Sequence, residues 1–550
     1  MRALYHFLLP TLLIACSAHS SGQDSGTGFN INEYDRTVRV EFSGSGVQVT
    51  GDTNNTVTVH GSHVTVNNKT DETVAYELSG TAHDGSVKLY SNRKQALVLD
   101  NLNLTNSTGA AINNQSKKEC YVVIKGTNSL KDAASYTTTP SDEDEKAALF
   151  SEGELIICGK GTLNVTAAGK SGISSDDYVR ITEEPVINVI SAAGHGIRGK
   201  ESVVIEGGAI GILVSADMKK GIISDSMVLI TGGSTNISVT GAAALDTVNG
   251  EYKGTSGIKA DRRFEITAGT LDIVCFGAGG KGISGDGTGC FSGGRVRVTT
   301  IGSNLGTTDR GRGFSSNSAS AKGIKFDGNI VFQGGTVSVN SEAHEGIESK
   351  SDIIVKGGSV YSYSAADDAI NSGGTFTIES GNVYGCSARN DGLDANGNFY
   401  IKGGLVYAIG SRVPEVAIDA NTERGYRLYI QGGTLIAIGG LESGASLNQN
   451  CYQASSWTGN TLYSLTVGAD VIAFRTPSSG GTPMVVSGAS APVLMAGVTT
   501  TDGAAIMEGM IITDASVSGG SQVSLSSYTG GSGGGFGPGG GGPGGRPGGW

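Results

Sequence analysis

The chain has no excess of basic residues, no apolar run of membrane-spanning length, no paired-cysteine motif and no helical periodicity. Each absence excludes something. The net charge of −12 and a pI near 5.1 exclude nucleic acid as the partner, because that binding needs a basic face. They also restrict an anionic ligand to a local basic patch or a bound cation. The apolar run from Leu8 to Ala15 is too short to span a bilayer. Beyond Cys16, the cysteines at 120, 158, 275, 290, 386 and 451 form no CxxC pair or His/Cys cluster, which argues against zinc. Most read as small apolar strand residues, and a Cys275/Cys290 disulfide stays open. No nucleophile motif stands out.

What the chain does have is glycine, 89 in 550 residues, more than double the usual share of about 7%. The glycines sit at corners between Val/Ile/Thr runs, which is turn chemistry. A short phrase also recurs: Lys-Gly-Ile-Lys at 322–325, Glu-Gly-Ile-Glu at 345–348, Asp-Ala-Ile-Asn at 368–371, Asp-Gly-Leu-Asp at 391–394 and Val-Ala-Ile-Asp at 416–419. Its central residue falls at 323, 346, 369, 392 and 417, a period of 23 to 25 residues. The same phrase appears earlier around Gly172, Gly196, Gly221, Gly257 and Gly282. A fixed period of this length marks a solenoid, whose units bury their apolar sides only against their neighbours. Strand-like runs and Gly turns make each unit one coil of a β-helix.

The chain then divides as follows. Residues 1–15 read as a signal peptide, 16–28 as a Ser/Gly tether and 29–440 as the β-helix. Alternating valines between Thr37 and Asn68 read as half-buried strands. The acidic run Asp142-Glu-Asp-Glu lies in a polar loop, a solvated stretch or a cation site. Insertions at 242–255 and 302–320 interrupt the period and read as loops thrown out from one side. Residues 441–528 lose the period and read as a β cap over an open strand edge. Residues 529–550 are Gly/Pro-rich and read as disordered. The segment Leu13-Ile14-Ala15-Cys16 resembles a bacterial lipobox, which implies cleavage before Cys16 and lipid attachment there. With Ser17 following, the expected place is the outer membrane, on its periplasmic or surface side, as a monomer.

Stacked coils put equivalent residues about 4.8 Å apart. The phrase therefore builds an acidic ladder from Glu345, Asp368 and Asp391 on one side and Glu348, Asn371, Asp394 and Asp419 on the other. Two carboxylates at that spacing repel by roughly 3 kcal/mol at an effective dielectric of 20. The ladder needs protons, splayed side chains or bridging cations. Hard oxygen ligands on adjacent coils suit Ca²⁺, with Asp367, Asn396 and Asn421 completing the shell. A solvated acidic edge is the other reading. Earlier coils carry Lys220, Lys281 and Lys322 before the Gly, and Lys259 and Lys325 after the Ile. Lys281, Lys322 and Lys325 are candidate contacts for sugar carboxylates, or else they only dilute like-charge stacking. In a second ladder, inward Val337, Val360, Val383 and Val406 send Ser338, Tyr361, Tyr384 and Tyr407 outward, a stripe suited to stacking on sugar rings.

Tyr76-Glu-Leu-Ser-Gly-Thr, Leu97-Val-Leu-Asp-Asn-Leu-Asn-Leu, Gly109-Ala-Ala-Ile, Phe150-Ser-Glu-Gly-Glu-Leu-Ile-Ile-Cys-Gly-Lys-Gly-Thr-Leu and Asp391-Gly-Leu-Asp-Ala-Asn-Gly carry a resemblance to a known family. Across roughly residues 30–530 the chain resembles the bacterial carbohydrate-binding β-helix family typified by a clostridial cellulose- and polygalacturonate-binding protein. That resemblance implies an all-β, right-handed parallel β-helix that binds calcium and acidic plant polysaccharide such as pectin, without established catalysis. It also implies structural kinship with calcium-dependent pectate lyases. Three functions follow as expectations: a carbohydrate binder, a lyase acting by β-elimination with Lys322 or Lys325 as base, or a structural adhesin. Whether the protein is an enzyme stays open, with binding favoured.

Overall fold

A computed structural model describes residues 29–44, 46–137, 143–306 and 318–530. The signal peptide and Cys16, the tether to residue 28 and the tail from 531 lie outside these residues. Contacts divide the chain into two compact units, one running to Tyr361 and the other from Ser362. Both are β structure; the helical elements among the described residues are two 3₁₀ turns, Ile31–Glu33 and Thr422–Arg424.

In the first unit a typical coil has three strands, such as Ser171–Ser175, Tyr178–Ile181 and Val186–Ser191. Each pairs in parallel with its counterpart one coil on, giving a parallel β-helix. The isoleucine of the repeated phrase is the inward residue. Ile173 pairs with Ile197, Ile197 with Ile222, Ile222 with Ile258, Ile258 with Ile283, Ile283 with Ile324 and Ile324 with Ile347, all without solvent exposure. Alternation carries the same logic into the other strands, where Val179, Val203 and Val228 stack inward. Phe264, Phe291 and Phe332 stack in the core, with ring centroids 5.4 and 5.0 Å apart.

The glycine of the phrase has a steric origin, and its φ is not in the left-handed region. A Cβ at Gly196 would lie 2.5 Å from Ile212 Cγ2, the inward side chain of the facing strand in the same coil. Gly172, Gly221, Gly257, Gly282 and Gly323 face Val189, Ile237, Ile273, Val298 and Val339 in the same way. The coil is thus so thin that one wall must lack a side chain for the other to fill the core. The turn glycines differ, because Gly208 and Gly294 adopt φ of 80° and 71°, which only glycine takes without strain.

The two insertions are not bare loops. Ala244–Asp246 and Glu251–Lys253 form an antiparallel hairpin, and Leu305–Gly306 pairs with Ser318–Ala319. Of the acidic run, Asp142 lies outside the described residues, while Glu143 is latched, accepting from Lys88 at 2.8 Å and also from Tyr90. The Cys275/Cys290 bond does not form, since Cys275 is a free thiol whose Sγ lies 3.1 Å from the Lys281 carbonyl.

In the second unit the coils continue the three-strand plan. Ile370–Ser372 pairs with Leu393–Ala395, then Leu393 bridges Ile418 and Ile418 bridges Leu441. Phe376–Ile378, Phe399–Ile401 and Leu428–Ile430 form the second wall, and Asn382–Ser387, Leu405–Ile409 and Thr434–Ile438 the third. Met484–Ser487 closes the last edge by pairing antiparallel with Thr434–Ile438. Strands between Leu462 and Gln522 form a six-stranded antiparallel sheet.

Gly196→Ala places a methyl group against Ile212 and the Gly221 carbonyl oxygen. We expect a loss of about 1–3 kcal/mol, as for other overpacked cores, measured by denaturant unfolding. Gly46→Ala, whose nearest contact is Ser43 Oγ at 3.8 Å, should leave stability within about 0.5 kcal/mol.

Candidate functional site

The acidic ladder of the second unit follows from its strand register. Leu393, Ile418 and Leu441 point inward and stack, so the residue after each, Asp394, Asp419 and Glu442, stacks on the outside. Asp391 enters from the preceding corner. Single carboxylate oxygens of Asp391, Asp394 and Asp419 all lie within 4.8 Å of one another. Asp391 is buried, at 8% exposure, and its Oδ1 accepts from the Val416 N–H at 2.6 Å.

Burial, then the charges of Asp419 and Asp394, push the Asp391 carboxyl up to about 8. Burial with Asp394 beside it pushes Asp419 up to about 6. Burial and a hydrogen bond with Asp419 push Glu442 up to about 7. The charges that raise all three groups are carboxylates. Another carboxylate trio, Asp144, Glu152 and Asp176, is arranged differently. There Lys146 Nζ lies 2.5 Å from both Asp144 and Asp176, so an ammonium already occupies the place a cation would take.

Glu442 lies just beyond residue 440, where the sequence reading ends the period, and so is not among the expected ligands. The signal was present: Gly440-Leu441-Glu442 repeats Gly392-Leu393-Asp394 and Ala417-Ile418-Asp419. The other expected ligands of this unit make hydrogen bonds of their own. Asp368 accepts from the Asp391 N–H and from Asn371 Nδ2, both at 3.1 Å. Asp367 accepts from Asn390 at 2.8 Å, and Asn396 donates to Asn371 at 3.3 Å. Asn421 caps the 3₁₀ turn, its Oδ1 accepting from Arg424 N at 3.2 Å. These bonds fix the corners on which the trio is mounted.

In the first unit, Glu345 and Glu348 share an ammonium group of the protein's own. Lys322 Nζ lies between them, 3.0 Å from Glu345 Oε2 and also bonded to Glu348, which Lys350 contacts too. All three of Lys322, Glu345 and Glu348 are buried. Burial favours the neutral amine, but Glu345 and Glu348 outweigh it and hold Lys322 above the usual lysine range. A charged, buried ammonium is neither a base for proton abstraction nor a contact for a glycan. Lys325 is paired with Asp327. Lys281 lies in an open groove, described below.

The outward tyrosine stripe is also corrected. Tyr384 and Tyr407 leave the strand on its outer side, yet both are buried. Strand Asp470–Arg475 covers that side: Tyr407 meets Phe474 at 5.4 Å and its hydroxyl donates to the Arg475 carbonyl at 2.8 Å. Tyr361 is half-buried. The half-exposed pair is instead Tyr400 and Tyr429, stacked at 4.8 Å at the centres of Phe-Tyr-Ile and Leu-Tyr-Ile. One face of each ring is therefore covered by the other.

The raised carboxyls fix a pH dependence. Between the unfolded value near 3.8 and the folded value of about 8, folded Asp391 holds more protons than the unfolded chain. Raising pH through that window therefore costs stability. In chelator, Asp391→Asn has no proton there to lose and should gain stability on the unsubstituted protein as pH rises from about 4 to about 8. Thermal melts of the two proteins across that range check it; a constant difference would refute it.

Parts of the chain are similar to known proteins. The family model described as carbohydrate-binding domain-containing protein matches residues 60–224 and 276–368. A carbohydrate-binding domain-containing protein of Acetivibrio thermocellus is 31% identical over 112 residues, which is 20% of this chain and 39% of that protein. The match thus spans well under half the relative's length. A solved structure of a polysaccharide lyase-like protein from C. thermocellum, a gadolinium derivative, aligns at 25% identity with a TM-score of 0.38, covering 46% of this chain and 97% of that one. Over residues 60–224 and 276–368 the chain is similar to the carbohydrate-binding domain-containing proteins.

Proposed function

We propose that the protein is a calcium-dependent carbohydrate-binding protein for acidic polysaccharide of the polygalacturonate or pectin kind. The observation that carries this reading is the meeting of Asp391, Asp394 and Asp419 oxygens within 4.8 Å. Calcium binds oxygens at about 2.3–2.6 Å, so ligands on opposite sides of one ion are about 4.6–5.2 Å apart. The trio has that size and that donor chemistry. A divalent cation there displaces the proton of Asp391 and offsets the mutual repulsion of the three carboxylates. A cation mounted on the surface of an acidic protein is also what an acidic sugar chain requires. The family match supports the carbohydrate side of the proposal.

Binding without cleavage is the form proposed. The lyase reading requires a neutral amine at Lys322 or Lys325, and both are paired with carboxylates. The proposal includes lipid attachment at Cys16 and an outer-membrane location, supported by Leu13-Ile14-Ala15-Cys16. Cys16→Ala should move the protein from the membrane to the soluble fraction.

Pull-down on polygalacturonate tests the central claim. Retention should rise at least about tenfold with calcium, fall back in chelator and release no unsaturated product. In Asp391→Asn/Asp394→Asn it should weaken at least about tenfold, a loss of about 1.4 kcal/mol, and the calcium-induced rise in melting temperature should disappear. Equal retention of this variant would overturn the site, and release of unsaturated oligosaccharide would establish a lyase.

A further inference from the structure

The first unit has a second, oppositely charged feature outside the acidic trio. Hairpin Ala244–Asp246/Glu251–Lys253 rises beside the phrase strands and walls a groove of about 390 Å³, within the size range of small-ligand clefts, about 300–1,000 Å³. Lysines 220, 253, 259, 281 and 325 line it together with Tyr252. Register explains the crowding: Lys220 pairs with Ser256, Ser256 with Lys281 and Lys281 with Lys322.

Most of these ammonium groups have a counter-charge. Lys259 lies 3.0 Å from Asp261 and 3.6 Å from Asp286, Lys253 pairs with Asp246 and Lys325 with Asp327. Among the described residues, no carboxylate lies within ion-pair distance of Lys220 or Lys281. Lys220 Nζ donates only to the Met218 carbonyl, at 2.8 Å. Between the two, the buried Ser256 hydroxyl lacks a hydrogen-bond partner. Burial, then neighbouring lysines, lower Lys220 and Lys281 to about 8. These lysines do not dilute like charge, since Lys281 is stacked next to Lys322 and adds to it. The groove-building hairpin also falls in the stretch 225–275, between the segments that match the family pattern.

We infer that this groove is a calcium-independent subsite for the carboxylate of an acidic sugar, held by Lys220 and Lys281 with the Ser256 hydroxyl between them. An entering carboxylate supplies the missing counter-charge through charge-assisted hydrogen bonds. The sugar ring lies against Tyr252 at the rim. The inference rests on the acidic-glycan reading but not on the calcium trio, so the two can fail separately.

Calorimetric titration of the full-length protein with trigalacturonate in chelator tests it. Binding should be detectable, weaken with salt, and fall at least about tenfold in Lys220→Gln/Lys281→Gln, while Lys220→Arg/Lys281→Arg retains it. Because the substitution to Gln relieves like charge, that variant should melt no lower than the unsubstituted protein; a lower melting temperature would reveal packing lysines and overturn the inference. Absence of binding in chelator, or equal binding by the Gln variant, would also overturn it. Binding of a sulfated galactose trisaccharide without binding of trigalacturonate would overturn the assignment to a uronate. Calcium-dependent retention on polygalacturonate that survives in the Gln variant but not in Asp391→Asn/Asp394→Asn would show the two sites to be independent.

Discussion

Strand pairing sets every coil about 4.8 Å above the last, and within each unit that spacing decides what sequence is tolerated. Identical apolar residues gain from it: Ile173 through Ile347 form a continuous inward column. Identical charges lose from it. The chain answers that conflict in different ways in different places. Lys322 is inserted between Glu345 and Glu348, and Lys146 between Asp144 and Asp176. At Asp391, Asp394 and Asp419 the neighbouring charges are of one sign, and Asp391 is left holding its proton near neutral pH. Stacked like charges left in this state are costly to keep, which makes them the places where an outside ion or ligand has most to contribute.

The coil itself was legible in the sequence because one phrase encodes two independent constraints, an inward Ile and a glycine opposite a β-branched residue. Where the pairing changes, the volume is redistributed. Ala369 replaces the glycine and the serine at 362 lies across from it, its hydroxyl donating to the Ala369 carbonyl at 2.6 Å. The third-strand valines were legible on the same grounds, and Val383 and Val406 are indeed buried.

The outer surface was less legible, because alternation says which way a side chain leaves a strand but not what later covers it. Tyr384 and Tyr407 leave outward as expected and are then buried by a strand that begins more than sixty residues downstream of Tyr407, at Asp470. Ion pairing was hidden for a related reason. Whether Glu348 meets a cation or Lys322 depends on rotamers across a coil boundary, which residue spacing does not encode. Glu442 was overlooked for a simpler reason: the sequence still carries the phrase there, but with shorter strands on either side.

The glycine wall has a further consequence. A cross-section narrow enough to exclude a Cβ leaves no interior volume in which a small molecule could lodge. Everything such a molecule touches must therefore hang on the outside of the coils or on inserted hairpins. Chemistry can then be exchanged one rung at a time without disturbing the buried column, which suits a scaffold that meets long, repetitive polymers.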